Sequence, residues 1–209
     1  MNWKNVGATA GLILTVSASL LAEPPSAPAL AVRIYNSAGV PAEDLRVATL
    51  EAETILHAAG ITVSWMDCWH RDRESPGAPE HCRQPLERDS LTLRLQDAAS
   101  TPTRIVSMGY SLVNLPDRAP FLATVYPDLV ASVSRSASVD SRPVLGRAIA
   151  HEIGHLLLNA NSHGDAGLMR KKWTRTELQK NNRSDWEFRN QETSIMRAAV
   201  AARVSAAAR

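Results

Sequence analysis

The hydrophobic positions change period several times along the chain. Ala31 to Tyr35 alternates weakly and is rich in Val and Ile before the turn cluster Asn36-Ser37-Ala38-Gly39, which predicts a first strand. From Pro41 the period becomes helical: Leu45, Ala48, Ile55, Leu56 and Ala59 recur along one face until Gly60, predicting a long amphipathic helix. Ile61 to Met66 then reads as a second strand, and a strand–helix–strand unit of this length implies a right-handed crossover between parallel strands. Three further β-like runs follow, Ser90 to Leu95, Arg104 to Val113 and Phe121 to Tyr126, for a sheet of four or five strands.

Residues Asp128 to Ser138 fit neither period. From Pro143 to about Leu158, the residues Val144, Leu145, Ala148, Ile149, Ile153, Leu156 and Leu157 form a stripe so broad that the helix carrying it must be buried. Beyond Trp173 the chain turns polar and basic, with helix expected over Glu177 to Lys180 and Ile195 to Arg203 and a frayed tail over 204–209. The expectation is a single α+β or α/β domain over residues 31–203. Its mixed twisted sheet packs on the long N-terminal helix and on the helix that starts at Pro143.

Composition changes this picture little. Of the 209 residues 44% are apolar and 21% charged, ordinary for a globular protein, and the formal charge of +2 gives no electrostatic case for a nucleic-acid partner. The N-terminus adds more. Lys4, the apolar stretch Val6 to Leu21 and the cleavage-like Leu20-Leu21-Ala22 read as a signal peptide over residues 1–22, with 23–30, including Pro24, Pro25 and Pro28, as a lead-in. A membrane anchor is the competing reading, but the stretch is only about sixteen residues long and carries Gly7, Thr9, Gly11, Thr15, Ser17 and Ser19. A secreted or periplasmic protein with no stable membrane insertion after cleavage is expected.

An exported chain meets oxidising conditions, so Cys68 and Cys82 are expected to form a disulfide. Closing a loop of about 15 residues is worth roughly 3 kcal/mol in the chain-entropy account. The second reading is a structural zinc site of Cys68, His70, His81 and Cys82, although adjacent His81 and Cys82 fit the usual ligand spacing poorly.

Candidate chemistry lies in His151-Glu152-Ile153-Gly154-His155, inside the helix expected to be buried. Histidines four apart share one helix face, so both imidazoles can reach one metal ion. Glu152 projects about 100° further round the axis, beside that ion rather than on it, where it can act as a general base. The alternative is a pair of surface histidines and a solvated carboxylate; the apolar neighbours Ile149, Ile153, Leu156 and Leu157 speak against it, because buried polar groups need a partner. A third ligand is required. His163, just past the helix-ending Asn159-Ala160-Asn161-Ser162, is the first candidate, with Asp165 and Glu177 as fallbacks.

This string, followed by His163 and then by Gly167-Leu168-Met169, resembles the metzincin clan of zinc proteases, and from Arg147 to Trp173 it is similar to secreted bacterial metallopeptidases of that type. The resemblance implies a zincin-like domain holding Zn2+ on His151, His155 and His163, with Glu152 catalytic and Met169 in a turn beneath the metal. It also implies a peptide or protein substrate held along an edge strand, with Phe121 to Tyr126 as an extended segment of that sheet. In the clan a glycine stands three residues after the second histidine and the third histidine three later; here those positions are Leu158 and Asn161, so His163 comes two residues late.

The expected function is therefore a secreted zinc endopeptidase. A zinc-binding or protein-interaction module without turnover and a gluzincin-like protease using Glu177 are the alternatives. Trp65, Trp69, Trp173 and Trp186 are candidates for a cleft wall, and core burial is the commoner fate of tryptophan. Sequence alone leaves substrate specificity and oligomeric state open.

Overall fold

A computed structural model describes residues 29–68, 79–101, 106–116 and 119–207. The expected signal peptide, most of the lead-in, Trp69 and His70 lie outside them. In chain order the elements are β1 (Ala29–Asn36), α1 (Ala42–Ala58), β2 (Thr62–Asp67), α2 (Glu80–Arg83), β3 (Ser90–Leu95), β4 (Gly109–Ser111), β5 (Leu122–Val125), α3 (Pro127–Ala137), α4 (Ser141–Leu158), α5 (Arg175–Lys180) and α6 (Asn190–Ala207). Short 3-10 turns lie at Ala98–Ser100 and Arg183–Trp186.

The strands form one mixed five-stranded sheet in the order β2-β1-β3-β5-β4, giving an α/β fold. The first four run parallel and β4 alone is antiparallel, on the edge beside β5. Parallel strands alternate here because the helices take one face of the sheet. Leu30, Val32, Ile34, Leu91, Leu93, Leu95, Ala123 and Val125 share that face in register and are buried, while Thr92 and Arg94 between them are only half-buried.

α4 occupies the centre of the helical layer, in contact with α1, α3, α6, β4 and β5. Every residue from Val144 to Leu157 is buried. Asp140 caps its N-terminus by accepting the Arg142 backbone N–H at 3.0 Å. Gly146 lets α1 approach: a Cβ there would fall 2.6 Å from Glu51 Cβ and closer still to the Ala48 carbonyl oxygen. Gly146→Val is therefore expected to force α1 and α4 apart and to cost about 3 kcal/mol or more, measured as a lower urea midpoint with m unchanged.

Several expectations need correction. β1 begins two residues before the strand expected from Ala31, so Ala29 and Leu30 belong to the sheet. Among the described residues, the strand expected over Arg104 to Val113 is reduced to Gly109–Ser111; residues 104 and 105 of that span are outside the described residues. It ends early because Asn114 takes a left-handed conformation, φ 56°, and gives its N–H to Asn159 Oδ1 at 2.9 Å. The segment that fitted neither period is α3. Its serines obscure it: Ser134 and Ser136 donate back to the Val130 and Ser132 carbonyls at 2.9 Å, which satisfies them within a helix that their propensity does not announce. Helix α6 extends to Ala207, beyond the helix expected over Ile195 to Arg203.

Cys68 and Cys82 are joined by a disulfide with Cα atoms 5.5 Å apart. His81 lies beside the two sulfurs, but sulfurs joined to each other are not thiolate ligands, so the alternative zinc site does not form in this state. No described helix is long and apolar enough to cross a membrane.

Candidate metal centre and cleft

His151 and His155 leave α4 on one face, and their Nε2 atoms stand 3.1 Å apart. The chain then turns at Asn159, a non-glycine residue at φ 49°, which supplies the left-handed helix end. The returning loop is closed by the Gly164 N–H donating to the Met169 carbonyl at 2.9 Å, and by a bridge between Gly164 and Arg170. That closure puts the exposed His163 ring against the other two, with centroids 5.3 Å from His151 and 4.8 Å from His155. Ligand atoms of the three histidines lie within 4.8 Å of one another, a group that could hold a metal ion.

The fallback ligands are engaged elsewhere. Glu177 closes a capping box with Thr174, accepting its backbone N–H and hydroxyl at 2.7 Å, and these bonds hold its carboxyl below the usual range. Asp165 is exposed and pairs with Arg189 at 3.0 Å.

The ring orientations are fixed by the backbone. His151 Nδ1 faces the Leu168 carbonyl at 2.9 Å and His155 Nδ1 faces the Ala160 carbonyl at 2.7 Å. A carbonyl oxygen only accepts, so each Nδ1 carries the proton and each Nε2 presents a lone pair. Burial, followed by the neighbouring His155, lowers the His151 pKa to about 3, and burial lowers that of His155 as well, so neither ring is protonated at neutral pH. Two lone pairs aimed at each other across 3.1 Å repel unless a cation lies between them. Nitrogens bound to one tetrahedral zinc stand about 3.4 Å apart. The donor set and its spacing fit such an ion.

Glu152 is 6% exposed, and burial raises its pKa to about 7. Its Oε2 accepts from Ser111 Oγ at 2.8 Å, and the same hydroxyl lies 2.8 Å from the Glu152 carbonyl oxygen. Its Oε1 lies against β4, where a Cβ on Gly109 would come within 2.7 Å of it. Ser111 and Gly109 lie about forty residues before Glu152 and carry no local signal of their role; only the close approach of β4 to α4 reveals it.

Met169 is buried, and Gly154 makes room for it: a Cβ at Gly154 would lie 2.8 Å from the Met169 sulfur and 2.6 Å from Phe188 Cε1. Gly167 (φ 72°) turns the chain just before it, so that the Leu168 carbonyl reaches His151. Trp173 Nε1 approaches the same carbonyl at 3.4 Å, and its ring stands edge-on to His151 at 5.9 Å. Trp173 also packs on the buried Trp186, whereas Trp65 is a half-buried neighbour of the core away from the site.

These groups open into a cleft of about 880 Å³ between β4 and the loop after α4. Tyr126 N–H and Leu112 N–H bond to Met108 and Leu122 carbonyls, at 2.8 and 2.9 Å, which turns the backbone of Gly109 and Ser111 to the open edge of the sheet.

No described protein family and no curated protein matches the chain by sequence. Its fold is similar to that of archaemetzincin from Methanopyrus kandleri, with a TM-score of 0.51 and 15% identity over 86% of this chain and 99% of that one. A zinc-dependent peptidase from Methanocorpusculum labreanum aligns with a TM-score of 0.48 and 17% identity over 79% and 99% of the two chains. At these identities the likeness concerns the fold.

Proposed function

We propose that this chain is a secreted zinc metallopeptidase of endopeptidase type, with His151, His155 and His163 as ligands and Glu152 as general base. The observation that carries the reading is the pair of facing Nε2 lone pairs on a buried helix, next to a carboxylate that borders an open strand edge. The fold likeness to an archaemetzincin agrees with the metzincin-like order of the motif. The Cys68–Cys82 disulfide supports an exported destination.

Zinc at this site would polarise a substrate carbonyl and lower the pKa of a water towards about 7. The chain's own residues supply the rest. The Gly109 N–H and the backbone groups of Ser111, at the open edge of the sheet beside a Gly109 carbonyl that accepts from Ser107 Oγ at 2.9 Å, can pair with an extended peptide and place its scissile bond beside α4, a mode that suits cleavage within a chain. Ser111 holds Glu152 Oε2, which leaves Oε1 to take the proton from the attacking water and to deliver it to the departing amine. Trp173 holds the His151 ring and its supporting carbonyl in place.

The test is metal analysis with a casein digestion assay. Purified protein is expected to contain about one zinc per chain, to lose activity on dialysis against a chelator and to regain it with added zinc. Zinc bound without turnover would leave a binding module instead.

A further inference from the structure

The two walls of the cleft differ in chemistry. On the β4 side stand Val106, Tyr110 and Leu112, which are 85%, 37% and 39% exposed, large apolar side chains left open to solvent. The opposite wall carries Arg170, Lys171 and Lys172, and Glu152 is the only acid among the described lining residues. Arg170 is answered by Glu177 at 3.6 Å and Asp185 at 3.5 Å. Lys171 and Lys172 are exposed, and neither has a carboxylate partner among the described residues. Lys171 lines the same cleft as His163. A neighbouring pocket of about 300 Å³ shares Val133 and Trp173 with the cleft and adds Arg175, which also has no acidic partner among the described residues. The whole chain carries a formal charge of only +2, so this concentration is local.

We propose that the cleft selects acidic peptides, with Lys171 and Lys172 taking a carboxylate side chain near the scissile bond while Val106, Tyr110 and Leu112 take an apolar one. The proposal rests on the peptidase reading for its substrate, and on charge complementarity for its selectivity. Side chains of an extended peptide alternate in direction, so one strand laid along β4 can present an apolar residue to one wall and an acidic residue to the other. Unpaired ammonium groups beside a partly desolvated cleft favour such a ligand electrostatically, and salt weakens the preference.

The test uses the full zinc-loaded protein and a set of peptides that differ only in Glu, Gln or Lys within two residues of the cleaved bond. Glu peptides are expected to be cleaved about tenfold faster in kcat/KM than Gln peptides. In K171E/K172E the order should invert, and in 0.5 M salt the Glu advantage should shrink severalfold. Equal or faster cleavage of Gln or Lys peptides by the wild-type protein overturns the proposal and leaves the peptidase reading standing. If no peptide is cleaved, it is the peptidase reading that fails, and binding of fluorescein-labelled Glu, Gln and Lys peptides decides the selectivity. Tighter Glu-peptide binding, weakened in K171Q/K172Q, supports it, and binding without charge preference overturns it.

Discussion

Glu152→Gln is expected to abolish measurable peptide cleavage, a loss of about 10³-fold or more in kcat, while the protein still binds zinc at one per chain. Glutamine keeps the shape and can still bond to Ser111, but it cannot carry the proton from water to amine. The same substitution should stabilise the metal-free protein. Burial raises the Glu152 pKa from 4.5 to about 7, so between those values the folded form holds a proton that the unfolded form has released. The stability of the natural chain therefore declines as pH rises through that window, while glutamine, which does not titrate, escapes the decline. At pH 8 the variant should be the more stable by up to roughly 3 kcal/mol, and at pH 4 the difference should vanish. Thermal unfolding of both apo proteins across that pH range checks the sign; a variant less stable at pH 8 would contradict the burial argument.

His163→Ala is expected to lower zinc affinity by several orders of magnitude, because it removes one of the three proposed ligands and the two that remain cannot close the coordination. Zinc at about a thousand times its Kd stabilises the folded chain by roughly 4 kcal/mol, so the natural protein should show a clear zinc-dependent rise in Tm that the variant lacks. Glu177→Ala supplies the contrast. Its carboxylate caps α5 and touches Arg170, so its loss should cost about 1 kcal/mol of stability and leave the zinc response intact. The reverse pattern, with zinc retained in His163→Ala and lost in Glu177→Ala, would assign the third ligand to Glu177.

Those two substitutions bear on what the sequence made legible. His151, Glu152 and His155 are set by helical spacing, which is local and therefore visible along the chain. His163 was legible only by position, because the turn that returns it depends on Asn159 adopting a conformation usually given to glycine. Ser111 and Gly109 were not legible at all. Their role comes from the pairing of β4 with β5 and the packing of both on α4, and such long-range contacts leave no periodic trace. β3 stood out by alternation because the helices take one face of the sheet, whereas α3 was hidden by serines that favour caps and turns in isolation. The expected strand from Arg104 to Val113 overran because a β-favouring composition does not show where a left-handed residue turns the chain.

The placement of α4 at the middle of the helical layer also governs how the centre can fail. Amide exchange at His151 and His155 should require global opening of the molecule, since their helix is buried from Val144 to Leu157 and contacts α1, α3, α6, β4 and β5. His163 belongs to a surface loop secured by few bonds, which can open by itself while the rest of the molecule stays folded. In the proposed zinc centre, opening of this loop would free the His163 position and spare the other two, so metal exchange is expected without denaturation.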